Sequence, residues 1–347
     1  MGNGKLWSRR ELMVRGSMAA GLPMAMSAAG VMAMVSGCEQ AGRRESAASE
    51  PARAGAGKAA WAIACRDTHL SETGAADSWS AIKAIGADGA EVGVTPELAC
   101  EHLYAPDGKF SIADAAAIRG LGRRFNDAGL KITAFCLGTQ FDRRGEAEIS
   151  FVLKVAAAAA DLGVPAIRID VVPREVKDEG EFLKFVVDVG RRLVKETAGS
   201  KVRFGVENHG GTTNKPEFLR KLFEGVGSDR FGLTLDTANF YWFGHPLSKL
   251  YDIYAEFAPR VCHTHAKSIH FPESERDKQR PVGWEYGKYC CPVYEGDIDF
   301  AKVAKILRRG GFAGDLCIEN ESLGRFPADQ RGQILKKEIE YLRKAAV

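Results

Sequence analysis

Eight short apolar segments, each followed by a longer segment with helical spacing, constrain the fold of this 347-residue chain most strongly. The apolar segments are continuous rather than alternating, which favours parallel strands that are buried on both faces. We predict strands at 61–65, 90–94, 131–136, 166–170, 203–207, 231–236, 261–267 and 315–319. We predict helices at 78–85, 112–128, 149–162, 181–197, 216–226, 247–257, 300–309 and 329–345.

Eight strand–helix units in series predict an α/β fold, a (β/α)8 TIM barrel, as one domain over residues 59–347. The rival fold is an open, doubly wound parallel sheet. That fold favours a glycine-rich phosphate loop after the first strand. Here the first strand is followed by Arg66-Asp67-Thr68-His69, so the barrel is preferred.

Composition and charge narrow the class of protein. Hydrophobic residues make up 45% of the chain and charged residues 27%, as in folded globular proteins. The net charge is +3, and residues 1–37 carry four cations and one anion, so the remaining chain is neutral. A neutral body gives no electrostatic reason to expect nucleic acid as a partner.

Polar side chains end the last four predicted strands, where the chemistry of a barrel is placed. Charged groups at the ends of apolar strands are costly to bury unless they pair or bind metal. Taken singly, each has an ordinary structural explanation, such as a salt bridge, a turn cap or a buried core histidine. Together, three carboxylates and one imidazole at one mouth would repel one another without a cation, which predicts a divalent metal. These four residues are Glu207, Asp236, His265 and Glu319.

The same segments resemble the xylose isomerase-like barrel superfamily of sugar isomerases and epimerases. The likeness spans about residues 61–345 and rests on Val-Glu-Asn-His at 206–209, Leu-Asp-Thr at 235–237, His-Ala-Lys at 265–267 and Ile-Glu at 318–319. Ser268 stands where the family often has Asp after the lysine. The resemblance selects His265 over His263, which lies on the same strand face. It also implies that Glu207 and Glu319 are the catalytic acid/base pair.

Three carboxylates and one histidine form a hard ligand set, which suits Mn²⁺ best, with Mg²⁺, Co²⁺ or Zn²⁺ as alternatives. With the resemblance, this predicts an enzyme that abstracts a proton next to the carbonyl of a keto- or aldo-sugar. A keto-sugar lyase or hydratase on the same site is the close alternative. An AP-endonuclease-type phosphodiesterase and a non-catalytic solute-binding lipoprotein are alternatives from other classes. Asn239 stands where such endonucleases carry a histidine.

Further residues are predicted to bind the substrate or to line the mouth. Arg325 could reach an anionic substrate or lie at the surface. The long segment at 268–295 is rich in aromatic residues and predicts a lid or an ordered surface excursion. The predicted substrate-binding residues are Lys267, His209, Asn208, Arg168 and Glu91.

The N-terminal residues predict export. Arg9-Arg10 before an uncharged run resembles a twin-arginine signal, and Val-Ser-Gly-Cys at 35–38 resembles a lipobox. Residues 1–37 would be the signal peptide and 38–58 a flexible linker. A lipidated Cys38 would place a periplasmic or membrane-anchored protein on a membrane surface. The sequence leaves the redox state of Cys290 and Cys291 and the oligomeric state open.

Overall fold

The computed structural model describes residues 61–347. Predictions for the signal peptide, the linker and Cys38 lie outside the described residues. Eight parallel strands close into a barrel, in which each strand pairs with its neighbour in the chain and the last strand pairs with the first. This confirms the TIM barrel fold.

Each predicted strand is present, with bounds within one residue of the prediction. The barrel strands are β1 (Ala62–Arg66), β2 (Gly89–Gly93), β3 (Lys131–Leu137), β4 (Ala166–Ile169), β5 (Arg203–Glu207), β6 (Phe231–Asp236), β7 (Val261–Ala266) and β10 (Asp315–Ile318). Outside the barrel, β8 (Ser268–Ile269) pairs antiparallel with β9 (Cys290–Cys291).

Helices separate the barrel strands and cover their outer faces. The helices are α1 (Ser78–Ala84), α2 (Ala115–Ala128), α3 (Phe141–Arg144), α4 (Glu146–Leu162), α5 (Glu179–Glu196), α6 (Pro216–Val226), α7 (Asn239–Trp242), α8 (Leu247–Phe257), α9 (Glu273–Arg276), α10 (Tyr286–Tyr289), α11 (Phe300–Arg309) and α12 (Ala328–Ala345). Short 3-10 segments lie at Asp67–Thr73, Ala258–Arg260 and Leu323–Arg325. Among the helices of residues 61–347, none combines the length and apolar character needed to span a bilayer.

The start of α2 corrects one predicted boundary. The sequence predicts that this helix begins at residue 112, but it begins at Ala115. Asp114 caps it, because its carboxylate accepts hydrogen bonds from the amides of Ala116 and Ala117. Ser111 instead pairs with Ala99 in an isolated bridge, so the chain is still extended there.

Side chains of each strand alternate between the helices and the barrel interior. In β4, Ile167 and Ile169 belong to the main apolar core, whereas Ala166 packs inside the barrel with Ala134 and Cys262. Arg168 ion-pairs with carboxylates of the interior. The barrel is therefore filled by small side chains near one end and by charged side chains at the carboxyl ends of the strands.

A register shift between β6 and β7 positions the seventh strand. Leu233 pairs with Val261, but Thr234 pairs with His263, so Cys262 is an extra residue on β7. Beyond this bulge, His265 lies opposite Asp236. The bulge therefore aligns the histidine with the carboxylate at the end of β6.

The segment at 268–295, which follows β7, is an ordered part of the barrel mouth. Arg280 is buried, and its guanidinium carbon lies 4.5 Å from the ring centre of Tyr241 and 4.4 Å from that of Phe271. Its Nη2 donates to the carbonyl of His245 at 3.0 Å. This segment, called the excursion below, is therefore fixed to α7 by cation–π contacts and backbone hydrogen bonds.

Glu338 on α12 joins two segments at the barrel mouth. Its buried carboxylate accepts hydrogen bonds from the amide of Val293 and from Nδ2 of Asn320, each at 2.9 Å. Asn320 follows the carboxyl end of β10. Burial raises the pKa of Glu338 from its ordinary value of 4.5 to about 7.

We expect Glu338 to make the protein less stable as the pH rises from about 4.5 to about 7. The folded state binds the proton more tightly than the unfolded state, so ionisation costs up to about 3 kcal/mol of the free energy of unfolding. Urea unfolding across this pH range should show the loss in the wild type and a flatter profile in Glu338→Gln. Parallel profiles for the two proteins would contradict the prediction.

Candidate metal centre

Four buried side chains from consecutive barrel strands converge at the mouth. Each of Glu207, Asp236, His265 and Glu319 has a ligand atom within 4.8 Å of the other three. Their exposed fractions are 5% or less. Glu207 and Asp236 end β5 and β6, His265 lies near the end of β7, and Glu319 follows β10. The structure thus brings the four predicted ligands together.

Three atoms of this cluster fit a bound cation. Asp236 Oδ2, His265 Nδ1 and Glu319 Oε2 are buried; the two oxygens lie within 2.9 Å of the Lys267 ammonium group, and Nδ1 lies 3.1 Å from Glu319 Oε2. Oxygen and imidazole ligands in this arrangement match the preference of a hard or borderline divalent metal.

Lys267 brings a positive charge to the rim of the cluster. Its Nζ lies 2.8 Å from Asp236 Oδ2, 2.9 Å from Glu319 Oε2 and 3.3 Å from Glu321 Oε1. Burial alone would lower the pKa of Lys267, but Asp236 and Glu319 outweigh it and raise the pKa. Tyr286 of α10 donates to the other oxygen of Glu321 at 2.6 Å. The excursion therefore reaches the metal centre through Glu321 and Lys267.

The charged neighbours of Glu319 keep it ionised. Burial alone would raise the pKa of Glu319, but Lys267, His265 and Arg66 outweigh it, and the pKa lies well below its usual range. His265 shows the reverse effect. Burial would lower its pKa, but Glu91 and Glu319 raise it to about 10. A cation that binds at Nδ1 must therefore displace a proton.

Glu207 is oriented by two polar neighbours. Arg168 forms an ion pair with its Oε2, and Asn239 Nδ2 donates to its Oε1 at 3.1 Å. Arg168 Nη1 also donates to Asp170 Oδ2 at 3.0 Å. Asp170 in turn lies 2.8 Å from Nδ1 of His209. Burial would raise the pKa of Asp170, but Arg168 and His209 outweigh it and lower the pKa.

The predicted substrate-binding residues fall into two groups. Lys267 and Arg168 are buried and form ion pairs with the cluster, whereas the His209 side chain is 28% exposed and lines the mouth. Asn208 and Glu91 are fully buried. Asn208 spans β5 and β6, because it donates to the carbonyl of Asp236 at 2.9 Å and accepts from its amide at 2.8 Å.

Glu91 contacts His263, His265 and Arg66 rather than the mouth. The polar atoms of Glu91 and Asn208 are thus engaged within the protein, behind the four ligands. Arg325 also turns away from the centre, because its Nη1 donates to the carbonyl of Cys290 at 2.5 Å.

Sequence reasoning overlooked Arg66 and Asp170. Arg66 ends β1 and forms ion pairs with Glu91 and Glu319. Asp170 directly follows β4 and binds Arg168 and His209. Both stand at the carboxyl ends of barrel strands, which is the same signal that identified the four ligands in the second half of the chain.

Solved structures of known proteins share this fold. The zinc-bound IolI protein is 18% identical, with a TM-score of 0.62 over 82% of this chain and 98% of that chain. A xylose isomerase-like TIM barrel protein from Mycobacterium smegmatis in complex with magnesium is 14% identical, with a TM-score of 0.58 over 83% and 98%. L-ribulose 3-epimerase is 15% identical, with a TM-score of 0.57 over 82% and 94%.

None of the curated proteins matches this sequence. Identities below 20% establish only the shared barrel fold. The family model does more, because it matches residues 79–345, which is most of the chain. On that match, together with the closed parallel barrel, the chain belongs to the xylose isomerase-like TIM barrel family.

Proposed function

We propose that this protein is a divalent-metal-dependent sugar isomerase or epimerase that transfers a proton next to a carbonyl group. The observation that carries the proposal is the convergence of Glu207, Asp236, His265 and Glu319. Three of them, Asp236, His265 and Glu319, direct buried polar atoms toward one another and toward Lys267. An epimerase of the same fold and the metal-bound structures support the proposal.

The four side chains would hold the metal, and Mn²⁺ is the cation that we propose. A divalent metal there supplies Lewis acidity, which polarises a sugar carbonyl and makes the adjacent C–H bond more acidic. Zinc and magnesium occur in the two metal-bound structures of this fold. Both are alternatives to Mn²⁺.

We assign general acid/base catalysis to Glu207 and Glu319. They stand on β5 and after β10, with β6 and β7 between them in the barrel. One carboxylate takes the proton from the carbon next to the carbonyl, and the other, after it has taken up a proton from solvent, returns that proton to the carbon. Lys267 faces the same space with its ammonium group, where it can stabilise negative charge that develops on the substrate. His209, which is partly exposed, and Arg168, which pairs with Glu207, would orient sugar hydroxyl groups.

Replacing Glu207 should abolish proton exchange without unfolding the barrel. In Glu207→Gln the side chain keeps its volume but cannot take the proton, so exchange should fall at least ~100-fold. The measurement is solvent deuterium incorporation into a panel of keto-sugars by the Mn²⁺-loaded protein, followed by NMR. Glu217→Gln, an exposed glutamate on α6, is the control and should retain the wild-type rate.

Deuterium entering a sugar at the wild-type rate in Glu207→Gln would refute the role of Glu207. Water loss from the sugar, visible in the same spectra, would assign the protein to lyase chemistry instead. Absence of metal from the purified protein, together with no Mn²⁺ binding, would refute the metal-dependent proposal itself.

We also propose that the chain is exported and lipidated at Cys38. The support is the order of Arg9-Arg10, the uncharged run and the cysteine in the sequence. Export of a folded protein through the twin-arginine route suits an enzyme that takes up its metal before it crosses the membrane. Its substrate would then be a carbohydrate outside the cytoplasm.

Cys38→Ser should release the protein from the membrane. Wild-type protein expressed in a bacterium should incorporate a labelled fatty acid and sediment with membranes, because stable anchoring needs two acyl chains. Cys38→Ser should remain unlabelled, and Cys291→Ser should behave as the wild type. An unlabelled wild-type protein would refute lipidation.

A further inference from the structure

One carboxylate lies directly beneath the metal centre and faces two histidines. Glu91 Oε1 is 2.9 Å from Nε2 of His265 and 3.1 Å from Nε2 of His263. Its Oε2 is 2.9 Å from Nε of Arg66. Glu91 is fully buried, so protein groups alone surround its two oxygens.

These contacts decide which nitrogen of His265 can bind a metal. An ionised carboxylate only accepts hydrogen bonds, so the nitrogen that faces it carries a hydrogen. Nε2 of His265 faces Glu91 and keeps its hydrogen, so Nδ1 is the nitrogen that can offer a lone pair to a metal once it has released its own proton. Nδ1 is also the nitrogen that faces the cluster, at 3.1 Å from Glu319 Oε2 and 3.4 Å from Glu207 Oε1.

Glu91 is itself held from both sides. Nδ1 of His263 lies 2.7 Å from Asp315 Oδ1, at the start of β10. This contact fixes the His263 ring, whose other nitrogen faces Glu91. Arg66 contacts both Glu91 and Glu319. The carboxylate therefore has little freedom to turn away from His265.

We infer that Glu91 is a positioning residue that fixes the ring of His265 so that Nδ1 faces the metal. His263 and Arg66 hold Glu91 in place for this purpose. The inference rests on the proposed metal centre, but it concerns metal affinity rather than sugar chemistry. Removing such an outer partner of a histidine ligand typically weakens metal binding 10- to 100-fold.

Metal titration of Glu91→Gln tests this inference directly. Calorimetric titration with Mn²⁺ alone should show a Kd about 10- to 100-fold higher than that of the wild type. Glu148→Gln is the matched control, since Glu148 is equally buried but pairs with Arg144 on α3. It should bind Mn²⁺ as the wild type does.

Wild-type affinity in Glu91→Gln would overturn the inference and leave the proposed function intact. Failure of the wild type itself to bind Mn²⁺ or Zn²⁺ would overturn both. A loss of affinity that also appears in Glu148→Gln would mark a general effect of buried substitutions and would count against Glu91.

A second measurement uses the wild type and does not depend on how the variant folds. In protein labelled with ¹⁵N-histidine and loaded with Zn²⁺, NMR should show one histidine bound through Nδ1. Its Nε2 should carry a proton that exchanges slowly with solvent. Loss of that slow exchange in Glu91→Gln would support the positioning role, whereas ligation through Nε2 in the wild type would overturn it.

Discussion

Buried negative charge at the barrel mouth is the constraint on which the site depends. Carboxylates placed close together in a poorly solvated space repel one another and favour any cation that can approach. The protein supplies part of this compensation through Arg66, Arg168 and Lys267. It also directs three buried atoms, one each from Asp236, His265 and Glu319, into the same space. The remaining charge explains why a divalent cation suits the cluster of Glu207, Asp236, His265 and Glu319.

The barrel tolerates buried charges in its interior because its stability comes from contacts outside that interior. Apolar side chains on the outer faces of the strands pack against the surrounding helices, so the charged interior is not needed for cohesion. The strands also fix the backbone beneath each ligand, which limits the conformational entropy that binding must remove. Asn208 adds to this by bonding both backbone groups of Asp236. The ligands are therefore oriented before any cation arrives.

Several residues outside the four ligands make the arrangement specific. Asn239 and Arg168 hold the two oxygens of Glu207, and Tyr286 reaches the cluster through Glu321. The excursion that carries Tyr286 is fixed to the barrel by Arg280 rather than attached only at its ends. One side of the mouth is thus a wall that these contacts hold in place.

Strand order and the positions of the three carboxylates followed from the sequence, because continuous apolar runs mark buried parallel strands and their carboxyl ends must meet at one mouth. The roles of the histidines did not follow in the same way. His263 and His265 share one strand face, and periodicity cannot separate them. Only the packing of Glu91 and Asp315 against β7 shows that His263 lies below the cluster and His265 within it. Contacts between residues far apart in the chain are set by barrel closure and by the bulge at Cys262, which no local pattern encodes.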